Sequence, residues 1–221
     1  MIYVNGVYLP DGERDKVMLG AGASYQATKF ASVLSWTTKR RVAVDIGAHC
    51  GLWSMQFARA SFESIVAFEP LQQHVDCYRK NVPEGRYVLH QVALGAEHGT
   101  CGMKIVESLS GRSHVDGEGD VPMMRLDDFG LCPDIIKIDA EGYEYFILKG
   151  GEETLKTYRP AIIVEQKPQY VHGRYGLPDT AATDYLFSLG AKQRDMIAGD
   201  WVFSWDNEPD DPNSYPSYPC R

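Results

Sequence analysis

A doubly wound α/β sheet, mostly parallel with an antiparallel strand near its C-terminal end, is the fold class this sequence predicts. Three observations carry that expectation. From Arg41 onward, short apolar runs alternate with stretches of helical periodicity, a pattern that builds parallel sheets with helices on both faces. The first apolar run stops at a glycine turn, Gly47-Ala48-His49-Cys50-Gly51. The last two runs flank Gly199-Asp200, which predicts an antiparallel hairpin.

Before the sheet, IYVNGVYL over residues 2–9 puts Asn5-Gly6 between alternating apolar residues, the signal of a two-residue hairpin turn. Phe30, Val33, Leu34 and Thr37 have helical spacing and predict a helix over 24–38. A strand follows over 41–46, and Trp53 and Phe57, one turn apart, mark a helix over 52–60. The second strand, 65–68, ends at Glu69-Pro70, and a helix runs on to about residue 81. Residues 87–94 read as a third strand and 101–106 as an additional one. The polar, glycine-rich stretch 108–120 reads as a loop. A fourth strand over 134–138 leads into a helix over 141–149, and a fifth strand covers 160–164. Residues 168–178 read as a loop. Ala182, Tyr185, Leu186 and Leu189 then mark a helix that Gly190 stops. Strands over 191–198 and 201–205 close the sheet. The chain thus divides into a hairpin–helix cap (1–40), a main domain (41–206) and an acidic, proline-rich tail (207–221).

Composition narrows the function. The 221 residues carry 22 Lys+Arg against 30 Asp+Glu, a net charge of -8, which argues against a nucleic-acid partner because such proteins present a basic stripe. No apolar run approaches the length of a membrane span, and residues 1–15 lack the basic-then-apolar order of a signal peptide. The five cysteines show no zinc spacing. A cytoplasmic protein with reduced thiols is the expectation.

The chemistry sits at the strand ends, where open α/β sheets bind ligands. A dinucleotide fingerprint would read GxGxxG, whereas this turn has Gly47 and Gly51 with Asp45 just before them. An acid so close would repel a diphosphate and attract the cationic amino group of an amino acid. Glu69, at the end of the second strand, is suited to accept both hydrogen bonds of a ribose diol. Asp45, Gly47, Gly51 and Glu69 together suit a nucleoside with an amino-acid tail, which is S-adenosylmethionine. A closing antiparallel hairpin also belongs to the Rossmann-like fold of class I methyltransferases.

Four blocks, VDIGAHCGLW (44–53), VAFEP (66–70), LDDF (126–129) and IIKIDAEGYE with LKGG (135–151), resemble the FkbM-type methyltransferases. The resemblance runs from about Arg41 to Lys167, and His49 stands where that family usually has Asn. It implies a class I fold and O-methylation of sugars, glycolipids or polyketides. It further implies cofactor contacts from Asp45, Gly47, Ala48, His49 and Gly51, from Glu69 and Pro70, and from Gln91, Val92 and Ala93 near the adenine. Asp139 and Glu141 match acids near the methionine tail and the acceptor.

A neutral hydroxyl is a poor nucleophile, so a base should take its proton during transfer. Asp139, Glu141 and Glu165 are the candidate acids, with His172 and His114 as loop histidines of suitable basicity. The same acids admit a second reading. Asp139 with Glu165-Gln166 offers the hard oxygen ligands that suit Mg²⁺, and a bound ion would lower the pKa of a diol. The prolines of a base-flipping pocket are absent after the fourth strand. A small-molecule N-methyltransferase and a non-catalytic cofactor-binding module stay open as alternatives. The acceptor is expected to be a small molecule or glycan.

Overall fold

The computed structural model describes residues 1–206; the tail 207–221, and the expectation attached to it, lie outside the described residues. Seven strands form the central sheet: β1 (Val42–Ile46), β2 (Ser64–Phe68), β3 (Tyr87–His90), β4 (Ile135–Ile138), β5 (Ala161–Glu165), β6 (Lys192–Ile197) and β7 (Asp200–Ser204). Their order is β6-β7-β5-β4-β1-β2-β3. The strands β1 to β5 pair in parallel, and β7 runs antiparallel to both β5 and β6. The chain leaves β1 toward β2 and β3, then returns to the other side of β1 as β4. That reversal opens a crevice at the carboxyl ends of β1 and β4.

The strands read as apolar runs because helices cover both faces. Val44, Ile46, Ile136, Ile138 and Val164 face a core with Ile147, Leu148, Leu155 and Leu186. These come from the helices α5 (Glu144–Lys149), α6 (Glu152–Tyr158) and α8 (Ala181–Ser188). Ala43, Ile65, Ile135 and Ile163 face the opposite core, with Phe30, Val33, Trp53 and Phe57 from α2 (Ala27–Leu34) and α3 (Leu52–Arg59). The period of two puts Asp45 and Lys137 on that second face, directly opposite each other in register.

The N-terminal hairpin forms as expected, with Asn5 and Gly6 both at positive φ. Its Val7 and Leu9 pack with Met18, Cys50, Leu52 and Cys77. The Asn81 side chain, at the end of α4 (Gln72–Asn81), bonds the Tyr8 backbone on both sides and the Cys50 carbonyl. The cap therefore rests on the glycine turn and on α4.

Several expected elements change. A helix α1 (Lys16–Ala21), capped by the Asp15 carboxylate, precedes a shorter α2 than the predicted 24–38. The predicted strand 87–94 breaks after His90, and Ala93–Leu94 pairs instead with Val121–Met124 in a separate three-stranded sheet. The strand expected over 101–106 divides at Gly102, where an added Cβ would meet the Asp116 carbonyl oxygen at 2.3 Å. The predicted loop 108–120 contains a 3-10 turn, Glu107–Arg112, and a short pairing of His114–Val115 with Met103–Lys104. The helix expected from residue 141 begins at Glu144, and the loop expected over 168–178 holds α7 (Pro168–Tyr175). Pro168 fits there because the first turn of a helix needs no N–H donor. The final turn is Ala198-Gly199, both at positive φ, so Asp200 lies within β7.

Candidate active site

The crevice at the switch point is a cleft of about 210 Å³. On its first wall, β1 ends and the N–H groups of Gly47 and Ala48 donate to the Phe68 carbonyl oxygen at 3.1 and 3.0 Å. Gly47 has φ +68°, and a Cβ there would lie 1.9 Å from the Asp139 carbonyl oxygen. Only glycine lets β1 turn this close to the end of β4. Gly51 serves packing instead, since its Cβ would press on Val82 and Tyr78 at 2.6 and 2.8 Å.

Glu69 closes β2 and is buried. Its Oε2 accepts the His49 N–H at 2.9 Å, its Oε1 accepts the Leu71 N–H at 2.9 Å, and His74 Nδ1 lies 3.1 Å from Oε1. Three contacts fix the carboxylate while it remains on the cleft wall. Val92, Ala93, Leu94 and Ile147 supply an apolar strip in the same cleft. A buried carboxylate beside an apolar strip fits a ribose diol next to a flat base, so the donor set suits an adenosine group.

The opposite wall carries charge. Asp139 and Glu141 follow β4, and Glu165 ends β5. Parallel pairing of β4 with β5 brings their carboxyl ends together, and one oxygen from each of the three acids lies within 4.8 Å of the others. Lys167 Nζ sits 2.7 Å from Glu165 Oε2 and 2.9 Å from Glu141 Oε1. Burial, then the nearby Asp139 charge, pushes the Glu165 carboxyl up to about 10, and the same two causes raise Glu141. For Asp139 burial opposes ionisation, but Lys137 and Lys167 outweigh it and hold its pKa below the usual range. The cluster thus keeps Asp139 ionised and a proton on Glu165. Asp139 is the most open of the three, its side chain 23% exposed against 7% for each glutamate.

Of the residues expected from sequence, Gly47, Ala48, His49, Glu69, Pro70, Val92, Ala93, His114, Asp139, Glu141 and Glu165 line this one cleft. Asp45 does not. It is fully buried, accepts from Ser54 Oγ at 2.7 Å and faces Lys137 Nζ at 3.4 Å, so its cation is already within the protein. Gln91 is exposed where the chain leaves β3. His172, expected on a loop, is exposed in the last turn of α7 and outside the cleft wall. Gln166 is turned away: its side chain bonds the Asp179 carbonyl and the Thr183 N–H. Sequence reasoning missed Lys137, whose signal was a lysine inside the apolar run IIKID. It also missed His74, Tyr25 and Ser110, which line the cleft and carry no motif, and Tyr143, which lines it from within the IIKIDAEGYE block.

Residues 45–187 match the family described as Methyltransferase FkbM domain. No curated protein matches the chain. Among solved structures, methyltransferase FkbM from Methylobacillus flagellatus KT is similar at 16% identity and a TM-score of 0.50, over 87% of this chain and 55% of that one. This chain therefore spans little more than half the length of that relative. Precorrin-6y C5,15-methyltransferase from Geobacter metallireducens GS-15 is similar at 17% identity and a TM-score of 0.52, over 93% of this chain and 100% of that one. At such identities the structures share a fold, the class I methyltransferase sheet described above. The family match covers more than half of the sequence, and the chain belongs to the FkbM methyltransferase domain family.

Proposed function

We propose that this protein is an S-adenosylmethionine-dependent methyltransferase that methylates a hydroxyl oxygen of a sugar, glycan or other small natural product. Family membership supports methyl transfer. The observation that carries the hydroxyl reading is the cluster of Asp139, Glu141, Glu165 and Lys167, in the same cleft as Gly47 and Glu69.

Glu69 would hold the ribose diol, the Gly47–Ala48 turn the methionine end, and Val92 with Ala93 the base. Asp45 acts indirectly, by holding Lys137 beneath the turn. Bound S-adenosylmethionine supplies an electrophilic methyl group. The chain's own residues must orient the acceptor oxygen in line with it and receive the hydroxyl proton. Asp139 is ionised and open to the cleft, so it takes that proton. Glu165 lies beside it, and Lys167 balances the remaining charge. His114, on the cleft wall, contacts the acceptor; His172 has no part in this arrangement.

Three carboxylates this close would also suit Mg²⁺, but the Lys167 ammonium already sits between two of them. Turnover that survives EDTA supports the ammonium reading, and turnover that requires Mg²⁺ replaces it. Among the described residues no helix is long and apolar enough to cross a membrane. The four described cysteines are free and buried, which suits work in the reducing cytoplasm.

The test is to incubate the protein with S-adenosylmethionine and a panel of sugars, glycans, phenols and amines, and to measure S-adenosylhomocysteine release. Turnover with hydroxyl acceptors is expected. Turnover confined to amines would favour N-methylation, and cofactor binding without turnover on any acceptor would favour a binding module.

A further inference from the structure

Glu13, Ser110 and His49 are far apart in sequence and meet beside the cofactor side of the cleft. Ser110 Oγ lies 2.7 Å from His49 Nε2 and donates to Glu13 Oε2. The Ser110 N–H donates to the same oxygen at 3.0 Å. Glu13 Oε1 accepts the N–H groups of Arg14 and Asp15, both at 2.8 Å. A further backbone bond joins the Arg14 N–H to the Ser108 carbonyl at 2.9 Å. Glu13 and Ser110 are both buried, at 5% and 0% exposure. The cap is thereby fastened to the 107–112 turn through a carboxylate whose two oxygens are both used.

The Ser110 hydroxyl gives its hydrogen to Glu13, so it accepts from His49 Nε2–H, and this network assigns the tautomer. Burial, then His74 and Lys137, hold the His49 pKa well below its usual value, and the ring is neutral. Its backbone is at φ +50°, a region that residues other than glycine rarely adopt. From that conformation its N–H reaches Glu69 Oε2 at 2.9 Å. The ring also packs on His74 at 4.1 Å between centroids, and His74 Nδ1 reaches the other oxygen of Glu69. A continuous line of contacts runs from Glu13 through Ser110 and His49 to Glu69. Glu13 lies outside the family match at 45–187, and a cap that merely covered apolar surface would not need a buried carboxylate.

We propose that Glu13 and Ser110 are positioning residues of the cofactor site. They pin the His49 ring, the ring holds the left-handed backbone, and that backbone aims its N–H at Glu69. The N-terminal cap is then a working part of the site. This inference rests on the cofactor reading above.

Affinity for S-adenosylhomocysteine is measured calorimetrically for the full chain and for Ser110→Ala, Glu13→Gln, Glu69→Ala and the double variants of each cap residue with Glu69→Ala. Thermal melts verify folding. Ser110→Ala and Glu13→Gln are each expected to weaken binding about tenfold, the effect of one such hydrogen bond. Added to Glu69→Ala, either change is expected to cost less than about twofold, since residues acting through one contact are not additive. A merely structural role would give the same loss in both backgrounds. Unchanged affinity in the single variants, or a full tenfold further loss in the doubles, overturns the proposal. If Ser110→Ala does not fold, Glu13→Gln and its double decide the matter. Absence of binding by folded wild-type protein would overturn the proposed function and this inference together, whereas equal binding by wild type and variants overturns the inference alone.

Discussion

Lys137 Nζ donates to the carbonyl oxygen of Gly47 at 2.6 Å, so an ammonium buried in the fourth strand fastens the turn that ends the first. The same nitrogen reaches the Ile46 carbonyl at 3.2 Å and lies 3.4 Å from Asp45 Oδ1 and 3.9 Å from Asp139 Oδ2. Burial opposes its charge, yet Asp45 and Asp139 outweigh burial and raise its pKa. One side chain therefore sets both walls of the cleft.

Lys137→Met should be strongly destabilising. It leaves Asp45 buried with only the Ser54 hydroxyl, and breaking a buried pair by removing one partner costs about 3–5 kcal/mol. Denaturant unfolding of wild type and variant measures this. A loss below about 1 kcal/mol, the scale of an exposed pair, would mean that the ammonium does not hold the turn.

Asp139→Asn should separate catalysis from binding. The amide keeps the shape of the side chain but cannot take a proton. Turnover should fall about 100-fold or more, the range for losing a general base, while S-adenosylhomocysteine affinity changes by less than about tenfold. Steady-state kinetics and calorimetry on one preparation read both. Normal turnover removes Asp139 from the catalytic role.

Much of this was legible in the sequence, for a definite reason. β1, β2, β4 and β5 are covered on both faces, and such strands read as near-continuous apolar runs. The glycine turn was legible because Gly47 permits an approach no other residue allows. The third strand differs from expectation because only His90-Gln91 interrupts the apolar residues of 87–94, while the two halves on either side of that pair serve different sheets. From sequence Asp45 reads as a ligand-facing acid, because nothing local reveals that register sets Lys137 against it. The turn at 107–112 was unreadable because its partner, Glu13, is almost a hundred residues away.

Glu165 should make stability depend on pH. Its folded pKa, pushed up to about 10, lies above the ordinary carboxylate value, so the folded state binds the extra proton between the two. Its contribution is complete below about pH 4, the unfolded value, and is lost as pH rises toward 10. Glu165→Gln removes this loss. The melting temperature of the variant relative to wild type should therefore rise steadily from about pH 5 to 9. A difference that stays constant with pH would mean that Glu165 is ionised throughout.

The cleft between Glu69 and Asp139 is expected to hold S-adenosylmethionine. Calorimetric titration of the wild-type chain and of Glu69→Ala with S-adenosylhomocysteine tests this most directly. One site of micromolar affinity is expected in the wild type, weakened by about 1–3 kcal/mol in the variant through loss of charged hydrogen bonds. No heat of binding from a folded wild-type sample, or full affinity in Glu69→Ala, would contradict it.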